Sequence, residues 1–134
     1  MILTSMFLVL SGIGIINTLY LAYHAITKTD VACIGFPKEW CQRVQYSPHS
    51  KTFGIPNAYA GLVMYLIIFV LTLLYRVGTV PLWPIGVVVT IGFLFSLYFM
   101  YLQAAVIKAF CTWCVISAVD FTLLFLVLLL ILRR

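Results

Sequence analysis

The fold class this sequence predicts is an all-α membrane protein: a bundle of four transmembrane helices with one long hydrophilic loop between the first and the second. Three observations predict it. Of 134 residues, 65% are hydrophobic and only 8% are charged, too apolar a composition to cover a soluble domain of this size. Four apolar runs stand out, Ile2–Ala25, Ala58–Tyr75, Leu82–Ile107 and Phe110–Leu132. Each is close to or above the roughly 20 residues that cross a hydrocarbon core of about 30 Å. The one sizeable hydrophilic segment is residues 26–57. The chain reads as a single integral membrane domain over residues 1–134, with membrane lipid as its first partner.

The first run does not read as a cleaved signal, because it is too long and neither a basic segment before it nor an Ala-x-Ala site after it is present. It carries Gly12, Gly14 and Asn17. Small residues let helices approach closely in lipid, and Asn17 is expected to hydrogen-bond across a helix pair. His24 is placed at the interface. The formal charge of +5 sits in loops and at the tail and forms no basic stripe, so it points to membrane anchoring and away from nucleic acid.

The hydrophilic segment is rich in turn formers, Gly35, Pro37, Pro48, Gly54 and Pro56. It holds Cys33 and Cys41, separated by seven residues, with Gly35-Phe36-Pro37 suited to a reversal between them. Trp40, Tyr46 and Phe53 are interface anchors, and residues 47–56 have the character of a lid lying on the membrane or of an ordinary turn-rich loop. The second helix opens at about Asn57, and Val77–Pro81 is a short turn. The third opens at Trp83-Pro84, where proline suits a first helical turn. Its aromatics, Phe93, Phe95, Tyr98, Phe99 and Tyr101, are expected against lipid or in the core rather than on a cofactor wall. The last helix ends at Arg133-Arg134.

Cys111 and Cys114 form a Cys-x-x-Cys pair at the mouth of that last helix. Helical positions three apart share a face at roughly 5 Å between Cβ atoms, within reach of a disulfide. A first turn, with its unpaired N–H groups and positive dipole end, favours a thiolate. Taken alone, the pair is equally two small packed side chains, since cysteine is often buried. Topology adds the second argument. Four crossings place the loop after the first helix and the turn before the fourth on one membrane face. All four cysteines of the chain then share that face as two pairs that can exchange disulfides. A tetrahedral zinc site is the competing use of four thiols, but the spacing fits zinc ribbons poorly, so no metal is expected.

Disulfides persist in oxidising compartments, which puts the shared face outside the cytoplasm and both termini inside. Basic residues argue the other way. Lys28, Lys38, Arg43, Lys51 and Lys108 lie on the face assigned as outer, against Arg76, Arg133 and Arg134 on the inner, whereas positive charge usually accumulates inside. The redox argument is given precedence.

With Cys-x7-Cys in a loop and Cys-x-x-Cys opening the last of four membrane helices, the sequence resembles the vitamin K epoxide reductase family, in its prokaryotic-type form without a fused thioredoxin-like domain. Further matches are Cys41-Gln-Arg-Val-Gln-Tyr-Ser47, Phe53-Gly54 in the lid, Asn57 four residues before Gly61, and Tyr65. The resemblance covers almost the whole chain and implies that Cys33, Cys41, Cys111 and Cys114 are catalytic. It also implies that Asn57, Ser47, Phe53 and Tyr65 contact a quinone of menaquinone, ubiquinone or phylloquinone type. One position departs: vertebrate members place a tyrosine four residues after the second cysteine of the Cys-x-x-Cys, and here it is Ala118. The departure bears on quinone orientation and coumarin-type inhibition.

What the resemblance implies is a thiol:quinone oxidoreductase. A separate thioredoxin-like dithiol protein reduces the Cys33/Cys41 pair, and a Cys41–Cys111 mixed disulfide carries the exchange to the helix. Cys114 faces the quinone, and Asn57 bonds a quinone oxygen and stabilises charge developing there. Asp120, at membrane depth, is a functional candidate by default, yet six residues from Cys114 turn about 600° around the helix, off the Cys114 face. The alternative is a small transporter or structural membrane protein with non-catalytic cysteines, for which a path lined by buried charges would be expected. Here Asp120 alone qualifies.

Overall fold

The computed structural model describes residues 2–27, 39–40, 51–52, 55–108 and 112–133. Four long helices account for most of them: α1 (Ile2–Thr27), α2 (Asn57–Val77), α3 (Trp83–Tyr101) and α4 (Thr112–Arg133). Each contains a stretch long and apolar enough to cross a membrane. The chain is therefore a multi-pass membrane bundle, as the apolar runs predict. Before α2, Lys51–Thr52 (β1) and Ile55–Pro56 (β2) pair antiparallel, Lys51 opposite Pro56 and Thr52 opposite Ile55. The two short strands pair immediately before α2.

Each helix end has a local cause. α2 stops in a Schellman arrangement: Gly78 takes φ +89°, its N–H bonds Tyr75 O at 3.1 Å, and the Thr79 N–H bonds Leu74 O at 3.0 Å. Only glycine enters that left-handed conformation without steric cost. α3 starts with Pro84 in its first turn, where a missing N–H is harmless. It does not end at Tyr101. It widens into a π-helical stretch, Leu102–Ile107, closed by Lys108 in the left-handed region, whose N–H returns to Gln103 O. Nothing in the sequence reading anticipates this stretch. Inside the helices, Ser11, Thr18, Thr72 and Thr122 return their hydroxyls to the carbonyl four residues earlier. That satisfies the hydroxyls where water is absent.

The helices run antiparallel in sequence order, with α1 packed on α2 and α4, and α3 packed on α4 and α2. The centre is one layer contributed by all four. Gly14 of α1 lies against the Tyr65 ring of α2, and Gly92 of α3 lies against the Phe121 ring of α4. The two rings stack with centroids 4.6 Å apart and planes 21° from parallel. Tyr65 is fully buried and Phe121 nearly so. A Cβ at either glycine would overlap a ring, so the glycines set the interhelical distance. Gly12, by contrast, has nothing near its Cβ position, and of the two small residues expected to pack, Gly14 alone does. Large apolar side chains such as Ile16, Val63, Leu94 and Leu126 point outward, as lipid-facing positions do.

Gly14→Leu and Gly92→Leu should each destabilise the bundle by about 1–3 kcal/mol, the usual cost of overpacking, while Gly12→Leu should be near neutral. Thermal melts in one detergent, read by circular dichroism, give the comparison.

Candidate active site

The end of the bundle where α1 finishes and α2 and α4 begin is held by polar and aromatic contacts. Asn17 Nδ2 donates to the Trp113 carbonyl oxygen at 3.0 Å, which is the helix–helix bond the sequence leads one to expect. The Trp113 ring lies 4.5 Å from the Tyr20 ring, and Tyr20 lies 4.4 Å from His24. Amphipathic rings gathered at a helix end mark a membrane interface, and they place His24 there. α4 is thereby pinned by its first turn to α1, immediately before Cys114.

Below this belt lies a cavity of about 140 Å³ between the four helices. Cys114, Ser117, Ala118 and Phe121 supply its α4 wall, at the i, i+3, i+4, i+7 spacing that puts side chains on one face. Gly61 and Met64 of α2, and Thr18 and Leu21 of α1, line further parts. From α3 come Phe95 and Phe99, stacked at 6.4 Å. These two therefore line a cavity inside the bundle and not the lipid face. Their i, i+4 spacing is the signal that was available, and it gains meaning only once the opposite helix is known. Phe93 does serve the core, stacked on Phe125 at 4.5 Å, and Tyr98 and Tyr101 face outward.

The walls are largely apolar and aromatic, and a thiol opens onto them. Apolar cavities of roughly this size accept a benzene-sized ring, so a planar ring system with a few polar oxygens fits the lining. Ser96 and Ser117 are hydroxyl-bearing residues in the wall.

A family profile, the vitamin K epoxide reductase family, matches residues 5–129, nearly the whole chain. The chain belongs to that family. It is accordingly a membrane oxidoreductase of a quinone-associated family. Of the residues expected in a vitamin K epoxide reductase site, Cys114 and Ala118 are on the cavity wall. Tyr65 is not. Its ring is enclosed between Gly14 and Phe121, and its hydroxyl bonds Ser117 Oγ at 3.0 Å and the Ser117 carbonyl at 3.2 Å. It stands behind the wall and holds Ser117 in place. Asn57 opens α2 as expected, with its side chain outside the described part. Cys33, Cys41, Ser47, Phe53 and Cys111 lie outside the described residues.

Two polar side chains missed or underrated by sequence reading are buried nearby. Gln103, in the π-helical stretch, is fully buried, with Nε2 3.7 Å from Met100 Sδ. Asp120 is buried and neither carboxyl oxygen finds a hydrogen-bond partner among the described residues.

Ala118→Tyr would project a phenol from the α4 wall into this small cavity. The expected result is a rise of about tenfold or more in the KM for a short-chain quinone, the helical signal being retained. An unchanged KM would place the quinone elsewhere.

Proposed function

We propose that this chain is a thiol:quinone oxidoreductase that moves electron pairs from protein thiols outside the cytoplasm to a lipid-soluble quinone, so driving disulfide formation in exported proteins. The observation that carries the reading is the position of Cys114: a thiol at the start of a membrane helix, on the wall of an apolar, aromatic cavity of ring size. A quinone reaches such a cavity from the bilayer, whereas a protein dithiol reaches only the water-exposed end of the bundle. Two cysteine pairs are needed because donor and acceptor never share a phase.

The sequence of exchanges balances at each step. A thioredoxin-like partner dithiol reduces the Cys33–Cys41 disulfide and leaves as a disulfide. The Cys41 thiolate attacks Cys111 of the Cys111–Cys114 disulfide, forming a Cys41–Cys111 bond and releasing Cys114. Cys33 then attacks Cys41, restoring the loop disulfide and leaving Cys111 and Cys114 as a dithiol. That dithiol gives two electrons and two protons to the quinone, which becomes a hydroquinone, and the pair closes as a disulfide. Cys111 meets the loop because it is the outer thiol, with Cys114 about 4.5 Å deeper at about 1.5 Å per residue. Asn57 is assigned to a quinone oxygen, where a fixed dipole stabilises the charge that develops. Ser47 and Phe53 are assigned to the lid that closes over the ring.

Cys33→Ala removes the thiol that resolves the Cys41–Cys111 intermediate. Non-reducing peptide mass mapping should find a Cys41–Cys111 crosslink accumulating, and quinone reduction should be abolished. No loop-to-helix crosslink would mean that Cys33 and Cys41 form a static disulfide and that the helix pair takes its electrons directly from outside.

A further inference from the structure

We propose that an outer groove between the start of α1 and the end of α2 binds one phospholipid of net negative headgroup, its phosphate on Arg76 and an acyl chain along α1. The site is separate from the redox chemistry and does not depend on it.

The groove is lined by Ile2, Ser5, Met6, Val9 and Leu10 of α1 and by Arg76 of α2. The α1 positions recur at the three- and four-residue intervals of one helix face. Ile2, Met6 and Val9 are exposed, so the groove opens outward, and it shares no residue with the cavity at Cys114. From Ile2 to Leu10 it runs about 12 Å, at about 1.5 Å per residue. That is near half of a hydrocarbon core of about 30 Å, the depth of one leaflet. Arg76 stands in the last turn of α2. The membrane-crossing stretch of α1 begins at Ile2 and that of α2 ends at Val77, so the mouth of the groove is at the membrane edge. Exposed Trp83, which opens the next crossing, belongs to the same face, as interfacial aromatics do.

Charge selects the occupant. Arg76 is exposed and makes no ion pair among the described residues. The chain has three acidic residues. Asp30 and Glu39 fall in the segment that joins the end of α1 to the start of α2, at the other end of the bundle, and Asp120 is buried in α4. The end that carries Arg76, Arg133 and Arg134 therefore has no acidic side chain to answer it. Its guanidinium groups take their counter-charge from the bilayer, where the anion is lipid phosphate, and basic pockets between membrane helices bind anionic headgroups. Three of the four arginines are at this end and none of the four lysines. The planar guanidinium fork bonds two phosphate oxygens at once, which an ammonium does not. Arg76 is part of the groove wall and Arg133 is not. A free anion would answer the charge alone, whereas a lipid answers the charge and covers the apolar wall below it.

The test uses the full chain in a neutral detergent. Phosphatidylglycerol and phosphatidylcholine with the same acyl chains are titrated in, and bound lipid is counted by native mass spectrometry. The parent should hold phosphatidylglycerol about fivefold or more tightly than phosphatidylcholine, the worth of one basic residue at an anionic surface. Arg76→Gln should abolish that preference. Arg133→Gln removes the same charge outside the groove and should keep it. Val9→Trp fills the groove, leaves the arginine, and should weaken phosphatidylglycerol binding. Val9 and Arg76 are both exposed, so neither change strikes the core, and circular dichroism should show the helical signal unchanged in all three variants. Equal binding of the two lipids by the parent, or a preference that survives Arg76→Gln, would overturn the proposal. A preference lost equally in Arg133→Gln would assign it to general surface charge. Binding untouched by Val9→Trp, or lipid displaced by inorganic phosphate, would assign it to a free-anion site with no chain in the groove. Either of these results also overturns the proposal.

Discussion

Everything at the functional end of this bundle depends on the central layer in which two glycines accept two stacked rings. In lipid no hydrophobic force draws helices together, and close van der Waals fit has to do so. Gly14 and Gly92 supply the hollows, and Tyr65 and Phe121 fill them from opposite helices. Phe121 then has one edge in the core and the other on the cavity, so the layer that holds the helices together is also the floor of the site. The cavity exists because the helices are fixed by this layer below and by the Asn17–Trp113 bond and its aromatic belt above.

The same geometry explains the division of labour on α4. One face carries Cys114, Ser117, Ala118 and Phe121 towards the cavity. Asp120 is off that face, as six residues along a helix require, and is buried, while Tyr65 stands behind the wall and bonds Ser117. The π-helical stretch at the end of α3 places buried Gln103 at the same end of the bundle, and π-helical turns occur frequently at functional sites.

The architecture was legible because its signals are compositional. Four apolar runs, a proline in the first turn of α3 and a glycine after α2 are local features, and each helix begins and ends within a few residues of its apolar run. Asn17 was legible too, since a lone amide in an apolar run has few uses other than a bond to a neighbouring helix. The facing of the helices was not. In a soluble bundle the polar side marks the outside, but here lipid-facing and core-facing positions are equally apolar, and periodicity carries little orientation. Hence Phe95 and Phe99 could not be told from Tyr98 or Phe93, Gly14 could not be told from Gly12, and Tyr65 was assigned to the cavity although it stands one layer behind. Cys114 escaped this limit because its chemistry, and not its hydrophobicity, singled it out.

The central claim is that electrons pass from two cysteine pairs to a quinone held at Cys114, and single-turnover stoichiometry tests it most directly. The fully reduced chain, freed of reductant and mixed with excess short-chain quinone under argon, should form two hydroquinones, one for each pair among its four cysteines. The Cys33→Ser/Cys41→Ser variant should form one, and Cys114→Ser none. Hydroquinone formation that survives Cys114→Ser, or a parent yield of zero, would contradict the account.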